Sequence, residues 1–289
     1  MINESLINGL QFFRSRVLFT RISGDLTLRC AFVCFAACLF VGILQRPLAA
    51  QERPKDDHPP VAAQEKLKED NPPARTIYLT FDDGPLEGSE DVDEAVRREK
   101  IKINVFVVGM NTQNSKRLQK YLQLYKNNSW IEVGNHSFSH AHNDYSTYYN
   151  NPDDVLQDFL KNEKILNIPN KLARLPGRNM WRLKDRHVDD VKSGSKAADA
   201  LFTNGFKVFG WDLEWSHDPK SGVPIQTVED MISLIEKHFS EKRTVTENHL
   251  VILCHDEMFR KSWEESELKQ LIDKLRVKGF NFGHLSQYP

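Results

Sequence analysis

The sequence has few cysteines and no excess of charge of either sign. Three of its four cysteines fall in one apolar stretch, which excludes a disulfide framework and a C-x-x-C metal or redox pair. The 289 residues contain 39 Lys and Arg and 40 Asp and Glu, so the charges nearly cancel. This balance argues against a protein that binds nucleic acid through a basic face. With 40% hydrophobic and 27% charged residues, collagen-like, coiled-coil, polytopic membrane and wholly disordered chains are also excluded. Function must therefore reside in a local site.

Several catalytic motifs are missing as well. The chain has no G-x-S-x-G elbow, H-E-x-x-H helix, P-loop or G-x-G-x-x-G turn. Serine hydrolase, zincin and nucleotide-binding functions therefore have no support.

Residues 1–50 have the features of an export signal. Fifteen uncharged residues at 30–44 follow four arginines and precede a small-residue stretch that ends at Ala50. Fifteen helical residues span about 22 Å, short of the roughly 30 Å hydrocarbon core, which favours a cleaved signal peptide over a signal anchor. A lipid anchor at Cys38 is a third alternative. We expect the remaining chain to lie outside the cytoplasm, periplasmic, secreted or membrane-anchored, touching the membrane only through this segment where it is uncleaved.

Residues 51–75 form the next segment. They contain five prolines, eleven charged residues and no aromatic residue, so they cannot bury a core. We interpret them as a disordered linker to a single domain at 76–289.

The domain alternates between strand and helix patterns. Seven runs rich in β-branched and aromatic residues predict strands at 77–81, 103–108, 130–134, 171–175, 206–211, 250–254 and 280–285. Amphipathic segments between them predict helices at 91–100, 114–127, 153–166, 196–204, 226–240 and 262–278. Strict alternation predicts an α/β fold with a mostly parallel sheet, either doubly wound or closed into a barrel.

The reactive side chains share one position, since each ends or follows a predicted strand. They are Asp82 and Asp83 (first strand), His136 and His140 (third), Arg174 (fourth), Asp212 (fifth) and His255 with Asp256 (sixth). The carboxyl ends of parallel strands share one face, where active sites are built. This clustering indicates an enzyme.

Two imidazoles and a carboxylate suggest a metal centre. His136 and His140, at H-x-x-x-H spacing, together with Asp83 make three ligands and leave an open coordination position, as catalytic zinc requires. The same set accepts Co²⁺, Ni²⁺ or Mn²⁺. Taken singly, Asp83 could simply turn the chain before Gly84, and the histidines could be surface or core residues. Arg174 and Asp212 could likewise form a structural ion pair.

Five ordered motifs carry a family resemblance. TFDDGP at 80–85, HSFSH at 136–140, RLP at 174–176, WDLEW at 211–215 and ILCHD at 252–256 resemble those of the polysaccharide deacetylase family, also called the NodB homology domain or carbohydrate esterase family 4. The resemblance spans residues 76–289. It implies a distorted (β/α) barrel, here of about seven parallel strands. It also implies removal of acetyl groups from N-acetylated glycans such as chitin or peptidoglycan, and sometimes from O-acetylated xylan.

The resemblance also implies a role for each matching residue. Asp82 would be the general base, Asp83, His136 and His140 the ligands of one divalent metal, usually Zn²⁺, and His255 the general acid. Arg174 would orient Asp82, the motif containing Asp212 would tune His255, a backbone N–H near Gly177 would help the metal hold the oxyanion, and Leu253 and Trp215 would line the acetyl-methyl pocket.

Two motifs depart from the family pattern. Gly177 stands where the family often has Tyr, and Arg178 replaces its Gly. Arg178 and the nearby Arg182 could contact an anionic or bulky acceptor, or lie in a solvated loop. In the fourth motif Glu214 precedes the Trp and Asp212 lies two residues earlier, so either carboxylate could tune His255.

Two other functions stay open at this stage. One is a non-catalytic carbohydrate-binding barrel, and the other is an amidase acting on a small nucleobase-type or lipid-linked amide. Export and a linker favour a cell-envelope polymer, so the expected partner is an acetylated polysaccharide. Peptidoglycan, poly-N-acetylglucosamine, chitin fragments and O-acetylated glycans are all candidates, and the sequence predicts no oligomeric state.

Overall fold

A computed structural model describes residues 74–289. The predictions for residues 1–50 and for the linker at 51–75 therefore lie outside the described residues, except for Ala74 and Arg75. Within 74–289, no helix combines the length and the apolar character needed to cross a membrane.

Ten strands and eight α-helices lie in the described part of the chain. The strands are β1 (Thr76–Gly84), β2 (Ile103–Val107), β3 (Ile131–Asn135), β4 (Leu172–Ala173), β5 (Met180–Leu183), β6 (Arg186–Asp189), β7 (Lys207–Val208), β8 (Leu213–Glu214), β9 (His249–His255) and β10 (Asn281–Phe282). The helices are α1 (Ser89–Glu99), α2 (Gly109–Gln113), α3 (Lys116–Lys126), α4 (Tyr145–Tyr148), α5 (Pro152–Leu166), α6 (Ser195–Thr203), α7 (Val228–Ser240) and α8 (Glu267–Val277). Short 3-10 helices include His140–Asn143 and Asp256–Met258.

All ten strands belong to one sheet. Its order is β6-β5-β7-β4-β3-β2-β1-β9-β8, with β10 beside the first residues of β1. Pairing is parallel except around β5, which runs antiparallel to β6 and β7. The α/β class and the parallel strands are therefore confirmed, in a half-barrel sheet whose outermost strands are β6 and β8.

The strand count differs from the expected seven. Each predicted strand overlaps a strand of the structure, and β5, β6 and β8 are additional. The β5–β6 hairpin lies within a segment rich in charged residues, without the apolar alternation of a half-buried strand. β8 is only two residues long, too short for any periodicity. The last predicted helix begins later than expected, at Glu267, after a 3-10 helix at Trp263–Glu265.

Helix caps follow from local sequence. Asn151 caps α5 by accepting the Asp153 N–H, and Pro152 occupies the first turn, where its missing N–H costs nothing. Thr227 and Asp230 form a capping box at the start of α7.

The two faces of the sheet have different chemistry. Successive residues of a strand point to opposite faces, and on β1 the side chains of Ile77, Leu79 and Phe81 join the main hydrophobic core with the helices. Thr80 and Asp82 therefore point to the opposite face. This alternation places the reactive residues away from the main core.

Candidate metal and catalytic site

Two aspartates lie where β1 ends. Asp82 is 3% exposed and pairs in register with His255 of β9, so the two strands carry both residues to the same rim. Asp83 follows with a φ of 68°, a left-handed conformation that Asp tolerates better than most residues. The turn directs its carboxylate toward the histidines described next.

The two histidines are held by a hydrogen-bonded loop after β3. The Asn135 side-chain oxygen accepts the Ser137 N–H at 3.0 Å, and the Ser137 hydroxyl accepts the His140 N–H at 3.0 Å. Asp158 of α5 accepts hydrogen bonds from the Ser139 N–H and hydroxyl at 3.1 and 2.9 Å. The loop is thereby fixed to both β3 and α5, which positions His136 and His140.

Three potential ligand atoms converge at this rim. Asp83 Oδ1 lies 2.9 Å from His140 Nε2 and 3.3 Å from His136 Nε2. One ligand atom from each of the three residues lies within 4.8 Å of the other two. His136 is buried, whereas His140 and Asp83 are partly exposed, so the cluster is open to solvent on one side.

The protonation of His136 shows that this cluster fits a cation. Its Nδ1 lies 2.8 Å from the Arg174 carbonyl oxygen, so Nδ1 must carry the proton and Nε2 presents a lone pair in the neutral ring. Asp83 Oδ1 is buried and has no aligned hydrogen bond within the described residues, despite its short contacts with the imidazoles. The lone pairs of His136 Nε2 and Asp83 Oδ1 thus face each other with no proton between them, an arrangement that suits a metal ion bound by both atoms.

The electrostatics of the cluster favour added positive charge. Burial would raise the pKa of Asp83, but the contacts with His136 and His140 outweigh it and hold this pKa well below its usual value. Burial would lower the pKa of His140, but Asp83 outweighs it and raises this pKa. The same need for positive charge would be met by a divalent cation.

A buried arginine fixes the second aspartate. Arg174 is fully buried, and its Nη1 donates to Asp82 Oδ1 at 2.9 Å and to the Thr80 hydroxyl at 2.7 Å. Its Nε and Nη2 donate to the carbonyl oxygens of Phe209 and Gly210 at 3.1 and 2.7 Å. Burial lowers the pKa of Arg174, although Asp82 favours its charged form. The Asp82 carboxylate is thereby held in one orientation.

His255 completes the rim. Its Nε2 lies 3.8 Å from Asp83 Oδ2, and burial lowers the pKa of the imidazole. Its Nδ1 is buried and makes no hydrogen bond within the described residues. The ring packs against His217 with a centroid separation of 4.8 Å, and His217 Nε2 lies 3.0 Å from Glu257 Oε1.

The structure does not bring either expected carboxylate to His255. Both oxygens of Asp212 accept backbone N–H groups, from Val245 at 2.7 Å and from Val251 at 2.8 Å. Asp212 thus links β9 to the segment before it, and burial raises its pKa to about 6. Glu214 is exposed and contacts the Ser216 hydroxyl. The imidazole of His217 is packed against His255 instead.

The expected acetyl-pocket residues separate onto two faces. Leu253 is on the same face of β9 as His255, because the two are two residues apart on one strand. Trp215 is fully buried in the main core, packed on Phe259, and its indole N–H donates to the Gln226 carbonyl oxygen. The structure therefore leaves Trp215 as a core residue.

Gly177 lies at the exposed end of the Arg174 loop. It has a φ of 60°, and a Cβ built on it would meet the ring of Tyr145 at 2.9 Å. Its N–H makes no hydrogen bond with the part of the chain that the structure describes. A side chain at this position would collide with Tyr145, while the backbone N–H stays free to donate.

Sequence reasoning missed four residues at the site. Thr80 donates to the Ile252 carbonyl oxygen and supports Arg174, and the Asn111 side chain donates to the Asp83 carbonyl oxygen at 2.7 Å. Tyr145 lies against His140, and His217 lies against His255. Thr80 stands inside the first motif and could have been found there, whereas no local signal marks the other three.

Comparison with known sequences points to one family. The profile described as polysaccharide deacetylase matches residues 69–188, which include Asp82, Asp83, His136, His140 and Arg174. The chain is also 27% identical to a chitin disaccharide deacetylase from Vibrio alginolyticus over 205 residues. That match covers 49% of this chain and 47% of the relative, so the chain spans about half the length of this relative.

Comparison with solved structures supports the same fold. A CE4 esterase from Streptococcus mutans has a TM-score of 0.55 at 20% identity, covering 76% of this chain and 89% of that one. The catalytic domain of a peptidoglycan N-acetylglucosamine deacetylase from Eubacterium rectale has a TM-score of 0.54 at 23% identity, covering 75% and 91%. These likenesses show that residues 74–289 share this fold, and the profile match shows that residues 69–188 are similar to the polysaccharide deacetylase family.

Proposed function

We propose that this protein is a metal-dependent hydrolase that removes acetyl groups from an N-acetylated polysaccharide of the cell envelope. The observation that carries the proposal is the convergence of Asp83, His136 and His140 beside an Asp82 carboxylate that Arg174 holds in place. The relatives named above as deacetylases support the choice of an acetylated glycan as substrate.

The three converging residues would hold one divalent cation, for which we propose Zn²⁺ because two imidazoles and one carboxylate suit it. When bound, the cation lowers the pKa of a water molecule and polarises the acetyl carbonyl. Asp82 would act as the general base and accept the proton that the attacking water loses. Arg174 would keep the Asp82 carboxylate oriented through this step, since its guanidinium is fixed by three further acceptors.

The departing nitrogen needs a proton, and His255 would supply it. Water adds to the acetyl carbon, the C–N bond breaks, and the sugar amine and acetate are released. The Gly177 N–H would donate to the oxyanion that develops on the acetyl oxygen. Burial lowers the pKa of His255, which makes its protonated form a stronger acid toward the amine.

Acetate release tests the proposal directly. The purified full-length chain would be incubated with N-acetylglucosamine oligomers before and after treatment with a chelator, and again after Zn²⁺ is restored. Asp82→Asn keeps the side-chain volume and removes the base, so we expect at least a hundredfold loss of activity. Lys184→Gln, at the exposed turn of the β5–β6 hairpin, serves as the matched surface control.

Two other results would favour other functions. A folded chain that binds one metal ion but releases no acetate from any oligomer would favour an amidase with a small or lipid-linked substrate. A folded chain that binds oligomers but no metal would favour a carbohydrate-binding barrel.

We also propose that the domain acts outside the cytoplasm. The basic and apolar pattern of residues 1–50 and the Pro-rich linker at 51–75 support export. Fractionation of cells that express the full chain, with a protease-protection assay, would test this proposal. Domain recovered in the cytoplasm would contradict it.

A further inference from the structure

Tyr145 and Arg178 lie beside the proposed metal site. The Tyr145 ring packs edge-on against His140, one of the proposed ligands, with a centroid separation of 6.0 Å. The same ring lies against Gly177. The Tyr145 ring therefore lies between the proposed metal site and Arg178, the residue that follows Gly177.

That residue is Arg178, whose guanidinium lies over two aromatic rings. Its Cζ lies 5.4 Å from the centroid of Tyr145 and 4.9 Å from that of Tyr149. Nε donates to the carbonyl and hydroxyl oxygens of Ser193, and Nη1 donates to the Gly177 carbonyl oxygen. The guanidinium is thus held in one position by the hydrogen bonds of Nε and Nη1.

The charge of Arg178 is not neutralised by the described part of the chain. None of the ion pairs at 74–289 includes it, and its Nη2 donates to none of these residues. Arg182, the other arginine of this segment, is different. It is buried and pairs with Asp189 at 2.8 Å and with Asp199 at 2.5 Å. Of the two arginines, only Arg178 offers an available cation beside the site.

We propose that Arg178 binds a carboxylate carried by the glycan, on a sugar next to the one whose acetyl group is removed, with Tyr145 stacking against the sugar ring. The inference rests on the proposed deacetylase function and names its substrate class as an acidic acetylated glycan. A fixed guanidinium with a free edge recognises a carboxylate through charge-assisted hydrogen bonds. An aromatic ring beside it supplies a flat apolar surface for a sugar.

The test compares one glycan in two charge states. The probes are strands of alternating N-acetylglucosamine and N-acetylmuramic acid, either with free lactyl carboxylates or after these are amidated. The quantity measured is the ratio of kcat/KM for acetate release from the acidic strands to that from the amidated strands. Three chains are compared, namely wild type, Arg178→Gln and the control Lys184→Gln, which removes one positive charge from the same hairpin region.

We expect the wild-type ratio to exceed one and to fall about five- to tenfold in Arg178→Gln, as for the loss of a partly exposed charge-assisted hydrogen bond. The ratio should persist in Lys184→Gln and should decline in wild type as salt is added. An unchanged ratio in Arg178→Gln, or a wild-type ratio of one, would overturn the inference and leave Arg178 as a clamp for the Gly177 loop.

A binding measurement separates this inference from the proposed function. Calorimetric titration of the same two strands into chelator-treated protein gives a ratio of dissociation constants without turnover. If no strand is hydrolysed but the acidic strand binds more tightly, and this preference is lost in Arg178→Gln, the deacetylase proposal fails and the carboxylate site stands. If both strands are hydrolysed but bind equally, the carboxylate site fails alone.

Discussion

The buried pair of Arg174 and Asp82 gives the sharpest stability prediction. Replacing Arg174 by Met keeps an unbranched side chain of similar length and removes the guanidinium. The Asp82 carboxylate, 3% exposed, then loses its arginine partner and keeps only the longer contact of 3.6 Å between its Oδ2 and His136 Nε2 among the described ion pairs. The carbonyl oxygens of Phe209 and Gly210 lose their side-chain donors as well.

The size of the effect follows from burial. Breaking a buried ion pair by removing one partner costs about 3–5 kcal/mol, because the remaining charge stays uncompensated. For a domain of roughly 150–250 residues, about 1 kcal/mol shifts Tm by about 2–4 °C. We therefore expect Arg174→Met to lower Tm by about 6–20 °C, measured by circular dichroism on the full-length chain under saturating chelator.

Arg182→Met is the matched control. Arg182 is also buried, but its carboxylate partners Asp189 and Asp199 are 41% and 55% exposed, so water can solvate them when the arginine is lost. We expect a smaller loss, about 1–2 kcal/mol, from its hydrogen bonds. Equal losses of unfolding free energy in the two variants, or a loss below about 1 kcal/mol for Arg174→Met, would refute the claim that burial of the remaining carboxylate sets the cost.

Three further predictions concern the rim. Burial raises the pKa of Asp256 to about 7 from 3.8. Between these two pH values the Asp256 carboxyl is protonated in the native state but ionised in the unfolded state. The free energy of unfolding therefore falls as pH rises through this range. Asp256→Asn should remove this part of the pH dependence in urea titrations at pH 4 to 7, and a curve parallel to wild type would contradict it. His140→Ala should weaken Zn²⁺ binding at least about tenfold in a competition assay with a fluorescent chelator, and an unchanged affinity would exclude His140 as a ligand. Gly84→Ala would place a Cβ 2.5 Å from Asp256 Oδ2, so we expect a loss of about 1–3 kcal/mol on denaturation, whereas no loss would mean that the carboxylate moves aside.

The sequence predicts the strand ends well because each depends on local pattern. Apolar runs that end in Asp82 or His255 identify both the strand and the side chain that emerges from it. The parallel sheet then brings these ends to one face, which the structure reproduces in the register of β1 with β9. The H-x-x-x-H spacing likewise identified the two imidazoles that meet Asp83.

The remaining features depend on packing between distant segments. Tyr145 and His217 reach the rim because α4 and the segment after β8 pack there, and neither has a periodic or motif signal. Asp212 follows a predicted strand as the proposed catalytic residues do, yet its partners are the backbone N–H groups of Val245 and Val251. The sequence pattern of a carboxylate at a strand end is the same whether the carboxylate takes part in catalysis or joins two segments through backbone hydrogen bonds.

The position of β1 in the sheet sets the order in which the site can be completed. The edge of β1 opposite β2 is paired with β9, and the Thr80 hydroxyl bonds to Ile252, which lies 172 residues later in the chain. During synthesis from the amino terminus, Asp82, Asp83, His136 and His140 are made before β9, the strand that carries His255. Pairing across such a separation forms late in folding because it closes a long loop. A nascent or truncated chain would therefore hold all three proposed metal ligands while it still lacks the proposed acid, His255, which lies at the end of β9.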